Sequence, residues 1–199
     1  MLTNLKQSYR ATGSFDLGGN SKIRSSYGIS FLFPSLYESA GYAYTRTSSD
    51  NINAERTSSF DIGYETYFDT LNLGFNITYL DIEIEDPLMG SNVDYIQQNY
   101  AGGKNTSKDI ELATNWTDNK KLNIGFNYTL TKSYSGMDCD KPLKDAFGYK
   151  SCIDLNNGWI DSAMVRVPVH AFSSKINYEF SKNLNSSLLL TYKGRTRDY

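Results

Sequence analysis

Thr57–Ile84 reads TSSFDIGYETYFDTLNLGFNITYLDIEI, and the fold turns on its two runs of alternating character. In the first run Phe60, Ile62, Tyr64 and Phe68 share one parity, and Asp61, Gly63, Glu65 and Tyr67 share the other. After the break at Asp69-Thr70, Leu71, Leu73, Phe75, Ile77 and Tyr79 alternate with Asn72, Gly74, Asn76 and Thr78. A period of two puts each set on its own face of an extended strand, whereas a helix would scatter the apolar residues around its circumference. The stretch therefore predicts a β-hairpin with one greasy face and one Asn/Thr/Gly face. Each arm is long enough to cross a bilayer, which takes roughly 9–11 tilted residues.

The pattern recurs on both sides. Tyr9–Leu17 and Lys22–Phe31 flank the turn Gly18-Gly19-Asn20; Lys104–Trp116 and Leu122–Lys132 flank Thr117–Lys120; His170–Phe180 and Asn185–Lys193 flank Ser181-Lys182-Asn183. The expectation is an all-β antiparallel meander of about eight transmembrane strands in four hairpins. Between the hairpins lie polar stretches at Leu32–Arg56, Glu85–Gly103 and Ser133–Val167, expected as loops. Short and long connections alternate strictly, as in an outer-membrane barrel with tight periplasmic turns and long exterior loops. Phe15, Phe68, Trp116 and Phe180 close the strands that run into the short turns, and Tyr27, Tyr79, Tyr128 and Tyr192 sit further up. Two such bands read as interfacial aromatic girdles. After Tyr79 the phase flips, with Leu80, Ile82 and Ile84 alternating with Asp81, Glu83 and Glu85; this part is placed above the bilayer or at a β-bulge.

Composition narrows the function classes. Twenty Lys and Arg against 22 Asp and Glu leave a net charge of −2 over 199 residues, with no basic excess to neutralise nucleic-acid phosphates. No apolar run approaches the roughly 18 residues of a transmembrane helix. The mean hydropathy of −0.50 suits a barrel, because half of every strand faces water. Met1–Gly13 has no apolar core of the kind that marks a signal peptide, so the chain as written is expected to carry no export address. Cys139 and Cys152 lie 13 positions apart in a polar loop, and are expected to form a disulfide outside the reducing cytoplasm; two unpaired thiols are the alternative.

Five phrases resemble the C-terminal barrel of TonB-dependent outer-membrane receptors, in the family's order. They are SSYGISFLFPSLYE at Ser25–Glu38, NINAERTSSFDIGYE at Asn51–Glu65, the strand Leu73–Ile84, QNYAGGKNTSKDIE at Gln98–Glu111 and VPVHAFSSKINYEF at Val167–Phe180. Ile52 and Ala54 depart from the family's usual Pro and Leu. The resemblance implies part of a larger barrel of about 22 strands, with residues 1–199 as a partial barrel domain lacking the plug and final strands. It implies uptake of a scarce nutrient, foremost a ferric siderophore or other iron complex, with haem or cobalamin as further options. The energy source would be an inner-membrane TonB complex engaged through the missing N-terminal part. The implied setting is the bacterial outer membrane, with lipid on the greasy face.

No catalytic residue, cofactor or metal site is read from the sequence. His170, the single histidine, follows Pro168 at a strand start. Asp61, Glu65, Asp109 and Glu111 are expected to project inward. The aromatic-basic set Tyr37, Tyr42, Tyr44 and Arg46, joined by Trp159 and Arg166, is the expected ligand-contact cluster of the exterior loops. Two rivals stay open: a self-contained eight-stranded outer-membrane barrel with an adhesive or structural role, and a soluble lipocalin-like barrel around an apolar interior.

Overall fold

The computed structural model describes residues 6–35, 46–47, 53–93, 96–101, 103–118, 120–138, 159–163 and 167–196. Eight long strands form the meander: β1 (Tyr9–Gly18), β2 (Ser21–Leu32), β4 (Glu55–Phe68), β5 (Leu73–Glu85), β8 (Lys104–Thr117), β9 (Leu122–Asp138), β11 (His170–Ser181) and β12 (Leu184–Lys193). They pair antiparallel in the order β1-β2-β4-β5-β8-β9-β11-β12. Among the described residues β1 and β12 stand at opposite ends of this order and do not pair with each other.

The expected loops carry strands of their own. Glu85–Gly103 holds the hairpin β6 (Leu88–Val93) and β7 (Ile96–Ala101), and β3 (Arg46–Thr47), from the expected loop Leu32–Arg56, runs parallel to β7. β9 continues to Asp138, where β10 (Trp159–Ala163) pairs with it. Polar composition hid these extensions, because a strand above the membrane has water on both faces and needs no apolar parity.

The short turns follow local chemistry. Gly19 and Asn20 both take positive φ, 58° and 61°, as a two-residue hairpin turn matched to strand twist requires. A 3-10 turn at Asp69–Leu71 ends on Asn72 in the left-handed region. Neighbouring turns are stitched together: the N–H groups of Tyr67, Thr117 and Glu179 donate to the carbonyls of Asn20, Asn72 and Lys121. At the third turn the Asp118 carboxylate accepts the backbone N–H groups of Leu122, Lys120 and Lys121 at 2.8–2.9 Å. Those donors favour the charged form and hold its pKa below the usual carboxylate range. A depressed folded-state pKa gives stabilisation that is present above the unfolded value and lost as pH falls through the folded one. Protection factors of the Lys120–Leu122 amides, that is, exchange rates divided into the intrinsic rate at each pH, are expected to hold from neutral pH down through the ordinary carboxylate range and to fall below it. In Asp118→Ala those protection factors are low at every pH.

The register settles polarity. One face carries Phe15, Ile23, Tyr64, Ile77, Leu112, Tyr128, Phe172 and Tyr192 in a single row across all eight strands. This face lacks any covering layer among the described residues: Phe15 is 69% exposed, Phe180 56% and Leu188 52%. Among the described residues the buried apolar side chains are Ile29 and Ala54 alone. A soluble barrel needs Phe75, Ile77, Ile124 and Phe126 to converge on a core, and they lie instead on the uncovered face. From Phe68 up to Phe60 the apolar belt spans roughly 26 Å along β4 at about 3.3 Å per residue. At a strand tilt near 40° that is about 20 Å, close to the apolar band of a membrane barrel.

The aromatic bands do not lie level. Tyr27 pairs with Phe60, Tyr79 with Ile62, and Tyr128 and Tyr192 fall in the row of Tyr64, so the upper band steps toward the short turns across the sheet. In the lower band Phe15 falls in the row of Tyr64, while Phe68 and Trp116 share a row nearer the short turns, a step in the same direction. A common drift is what strand tilt imposes, since rows of the sheet are then oblique to the membrane plane. The phase flip after Tyr79 involves no bulge: pairing of β5 with β4 and with β8 is unbroken up to Glu85. Asp81, Glu83 and Glu85 thus stand on the apolar face beyond the belt. Their cations are Lys108 at 3.3 Å, Lys104 at 2.7 Å and Arg56 at 2.7 Å.

Candidate functional site

The opposite face is polar because every residue of the other parity points there. Arg24, Gly63, Thr78, Glu111 and Thr129 form one row. The next row toward the short turns has Asp16, Lys22, Glu65, Asn76, Ala113 and Asn127. The expected inward carboxylates Asp61, Glu65, Asp109 and Glu111 all fall on this face.

Its best-built part is a network across β1, β2, β4 and β5. The Arg10 guanidinium donates to Ser26 Oγ at 2.9 Å and lies 3.7 Å from Asp61 Oδ2. The Ser26 hydroxyl donates to the same carboxylate. Arg24 approaches Asp61 Oδ1 at 3.8 Å and donates to Thr78 Oγ1 at 3.0 Å; the Thr78 hydroxyl donates to Asn76 Oδ1 at 3.0 Å. Thr78 is only 4% exposed, covered by the Arg24 side chain that crosses the face. Lys22 and Glu65 pair one row below at 3.0 Å.

Gly63 makes the crossing possible. A Cβ there would sit 3.0 Å from Thr78 Oγ1 and 3.2 Å from Arg24 Nε. Gly63→Leu is expected to displace Arg24 and destabilise the wall by about 1 kcal/mol, a small value because Arg24 is partly hydrated. A double-mutant cycle with Arg24→Ala should return a coupling of about 0.5–1 kcal/mol. Zero coupling would mean that the arginine does not pass over Gly63.

Below the network a concavity of about 980 Å3 opens on the same face, lined among others by Lys22, Glu65, Asn76, Asn115, Asn127 and Lys175. Amides and paired charges hold water and polar solutes; they supply no nucleophile with an adjacent base. Among the described residues no three His, Cys, Asp or Glu side chains gather in a way that could hold a metal ion. His170 lies on the apolar face, its Nδ1 2.8 Å from the Tyr128 hydroxyl.

Of the expected loop cluster, Tyr37, Tyr42, Tyr44 and Arg166 lie outside the described residues, as do Cys139 and Cys152. The backbone of Arg46 pairs with Gln97 of β7, and that of Trp159 with Asp138 of β9. Sequence reasoning missed Arg10, Arg24, Ser26 and Thr78 as one unit. The signal was available only in part: their parity matches Asp61, but which of them stand side by side depends on register.

The sequence matches the family model described as TonB dependent receptor-like, beta-barrel, over residues 3–199. No curated protein matches it. Similar solved structures include the siderophore receptor PirA from Pseudomonas aeruginosa, at TM-score 0.67 and 16% identity, covering 92% of this chain and 30% of that one. The FrpB iron transporter from Neisseria meningitidis, F5-1 variant, aligns at TM-score 0.65 and 16% identity over 92% of this chain and 26% of its own. The copper transporter OprC aligns at TM-score 0.60 and 15% identity over 86% and 24%. The chain thus spans under a third of the length of these structures, and at such identities the likeness concerns the fold. A bare apolar belt, a wet opposite face and a family match over nearly the whole length agree, and the chain belongs to the TonB-dependent receptor β-barrel family of the bacterial outer membrane.

Proposed function

We propose that this chain is a sector of the barrel wall of a TonB-dependent receptor that takes up a scarce nutrient, foremost a ferric siderophore or other iron complex. It acts as a transporter wall and not as an enzyme. The observation that carries the reading is the inverted polarity: an uncovered apolar belt backed by a hydrated wall of amides and paired charges. A wall of that kind passes or seats polar cargo while lipid surrounds it. The plug domain and the segment that engages the TonB complex belong to parts of the receptor beyond this sector. Iron cargo is favoured because PirA is a siderophore receptor and FrpB an iron transporter. OprC, a copper transporter, keeps other metals in view. Tyr37, Tyr42, Tyr44, Arg46, Trp159 and Arg166 remain the proposed ligand contacts, and Cys139–Cys152 the proposed disulfide of the exterior loops.

The test is uptake by cells carrying the whole receptor or its deletion, supplied in turn with radiolabelled ferric siderophores, haem, cobalamin and copper. Loss of one iron substrate on deletion, restored by the gene and abolished by loss of the TonB complex, is the expected result. Unchanged uptake of every iron substrate would remove the iron reading.

A further inference from the structure

The concavity of the wet face crosses the rows Asn115–Gly125–Lys175 and Ala113–Asn127–Ser173, on β8, β9 and β11. Lys175 is the one charged side chain in these two rows. On β1, β2 and β4 the same face is filled instead by long charged arms held by one another: Arg10 and Arg24 on Asp61, and Lys22 on Glu65. Packing does not demand the glycines of the concavity. A Cβ at Gly125 would lie 3.9 Å from its nearest neighbour, Asn115 Oδ1, and one at Gly74 would lie 3.6 Å from the Asn115 carbonyl. Both are ordinary contacts, unlike the 3.0 Å at Gly63, and neither glycine takes a positive φ. Glycine inside a strand costs roughly 0.5–1 kcal/mol relative to alanine. Where packing and backbone do not require it, it marks a place that something else approaches closely.

We infer that the wet side of β9, from Thr131 down to Asn123, is the track along which cargo crosses this part of the wall. The inference rests on the transport reading above. The track offers Thr131, Thr129, Asn127, Gly125 and Asn123, hydroxyls and amides without charge, with Asp109 and Glu111 of β8 bordering its outer end. Such groups exchange a hydrogen bond to water for one to a polar solute at little net gain. Cargo therefore steps from one to the next without a deep well, as passage through weak repeated sites requires. At about 3.3 Å per residue the track is about 26 Å long, and two strand spacings make it about 10 Å wide. The occupant it suits is a compact chelate that presents amide, hydroxyl or carbonyl oxygens and is held by hydrogen bonds, not ion pairs.

The test uses cells carrying the whole receptor, freed of its native cysteines. Single cysteines at Asn123, Asn127 and Thr131 are expected to react with the water-soluble thiol reagent MTSET about ten-fold faster than one at Thr78, which is 4% exposed. Uptake is then followed with radiolabelled ferrichrome, ferric enterobactin, haem, cobalamin and copper. Gly125→Trp, which fills the track, is expected to slow uptake of the transported compound about ten-fold, with its binding to de-energised cells unchanged. Gly13→Trp adds the same bulk on the apolar face, where a Cβ meets nothing within 4 Å, and leaves the rate unchanged. Should Gly125→Trp not assemble, Gly125→Cys gives the same readout: MTSET slows uptake and a reducing agent restores it. Full uptake by the blocked receptor overturns the track. So does reaction at the three β9 positions no faster than at Thr78, which would mark a surface covered by another part of the receptor. Uptake of none of the compounds counts against the transport reading, and the thiol labelling then decides the track by itself.

Discussion

Arginine at Ile77 is expected to lower the stability of the intact receptor in lipid vesicles by about 2–4 kcal/mol, the depth-dependent cost of a cation near the bilayer midplane. Ile77 lies in the row Tyr64–Ile77–Leu112–Tyr128, two rows below the first charges of the apolar face. It is 39% exposed with no protein layer over it among the described residues, which leaves hydrocarbon as its solvent in the bilayer. Asn76→Arg, one residue away on the wet face, should cost less than about 1 kcal/mol, because its charge stays hydrated. Denaturant unfolding of the two variants in phospholipid vesicles reads the difference directly. Equal costs at the adjacent positions would mean that the belt does not face lipid, and the membrane orientation would fail with it.

Deletion of Phe126 alone should abolish assembly in the outer membrane, while deletion of Phe126 and Asn127 together should leave measurable folded receptor. β9 alternates cleanly through Leu122, Ile124, Phe126, Tyr128 and Leu130 against Asn123, Gly125, Asn127 and Thr129. Because the side-chain period is two, losing one residue turns half the strand over, whichever half moves. Asn127 and Thr129, or Asn123, then enter hydrocarbon without partners, at roughly 2 kcal/mol or more for each amide. The same move sends Tyr128 and Leu130, or Ile124, into the wet wall. Losing two residues shortens the strand but keeps both faces. Heat-modifiable mobility of the receptor in outer-membrane preparations distinguishes the two outcomes. If the single and double deletions behave alike, parity is not what holds this strand in place.

The hairpin phrases announced their turns without help from the rest of the chain. Gly19-Asn20 supplies the left-handed backbone that a tight reversal needs; the break at Asp69-Thr70 was also legible, but the turn runs on through Leu71 to a left-handed Asn72, both of which the alternation had placed in the next strand. The strand extensions were less visible. Beyond Lys132 the chain keeps pairing to Asp138 with Ser, Tyr, Gly and Met, whose pattern marks neither face. β6 and β7 are equally silent, since Leu88–Val93 and Ile96–Ala101 mix both kinds of residue without alternation. The swap of chemistry after Tyr79 was legible, but its cause was not. A bulge and a straight strand leaving the membrane give the same letters, and only the unbroken pairing of β4, β5 and β8 separates them.

The amino-acid order by itself determined that eight ribbons form, where the tight turns fall, and that each ribbon has a greasy and a wet side. Those properties are local, because parity and turn chemistry act over a few neighbouring residues. The fold alone decided that Arg10, Ser26, Asp61, Arg24 and Thr78 join into one network, and that Asn127 stands between Ala113 and Ser173. Such neighbours come from different strands, and their meeting depends on register, which is set by the pairing of the whole sheet and not by any one segment.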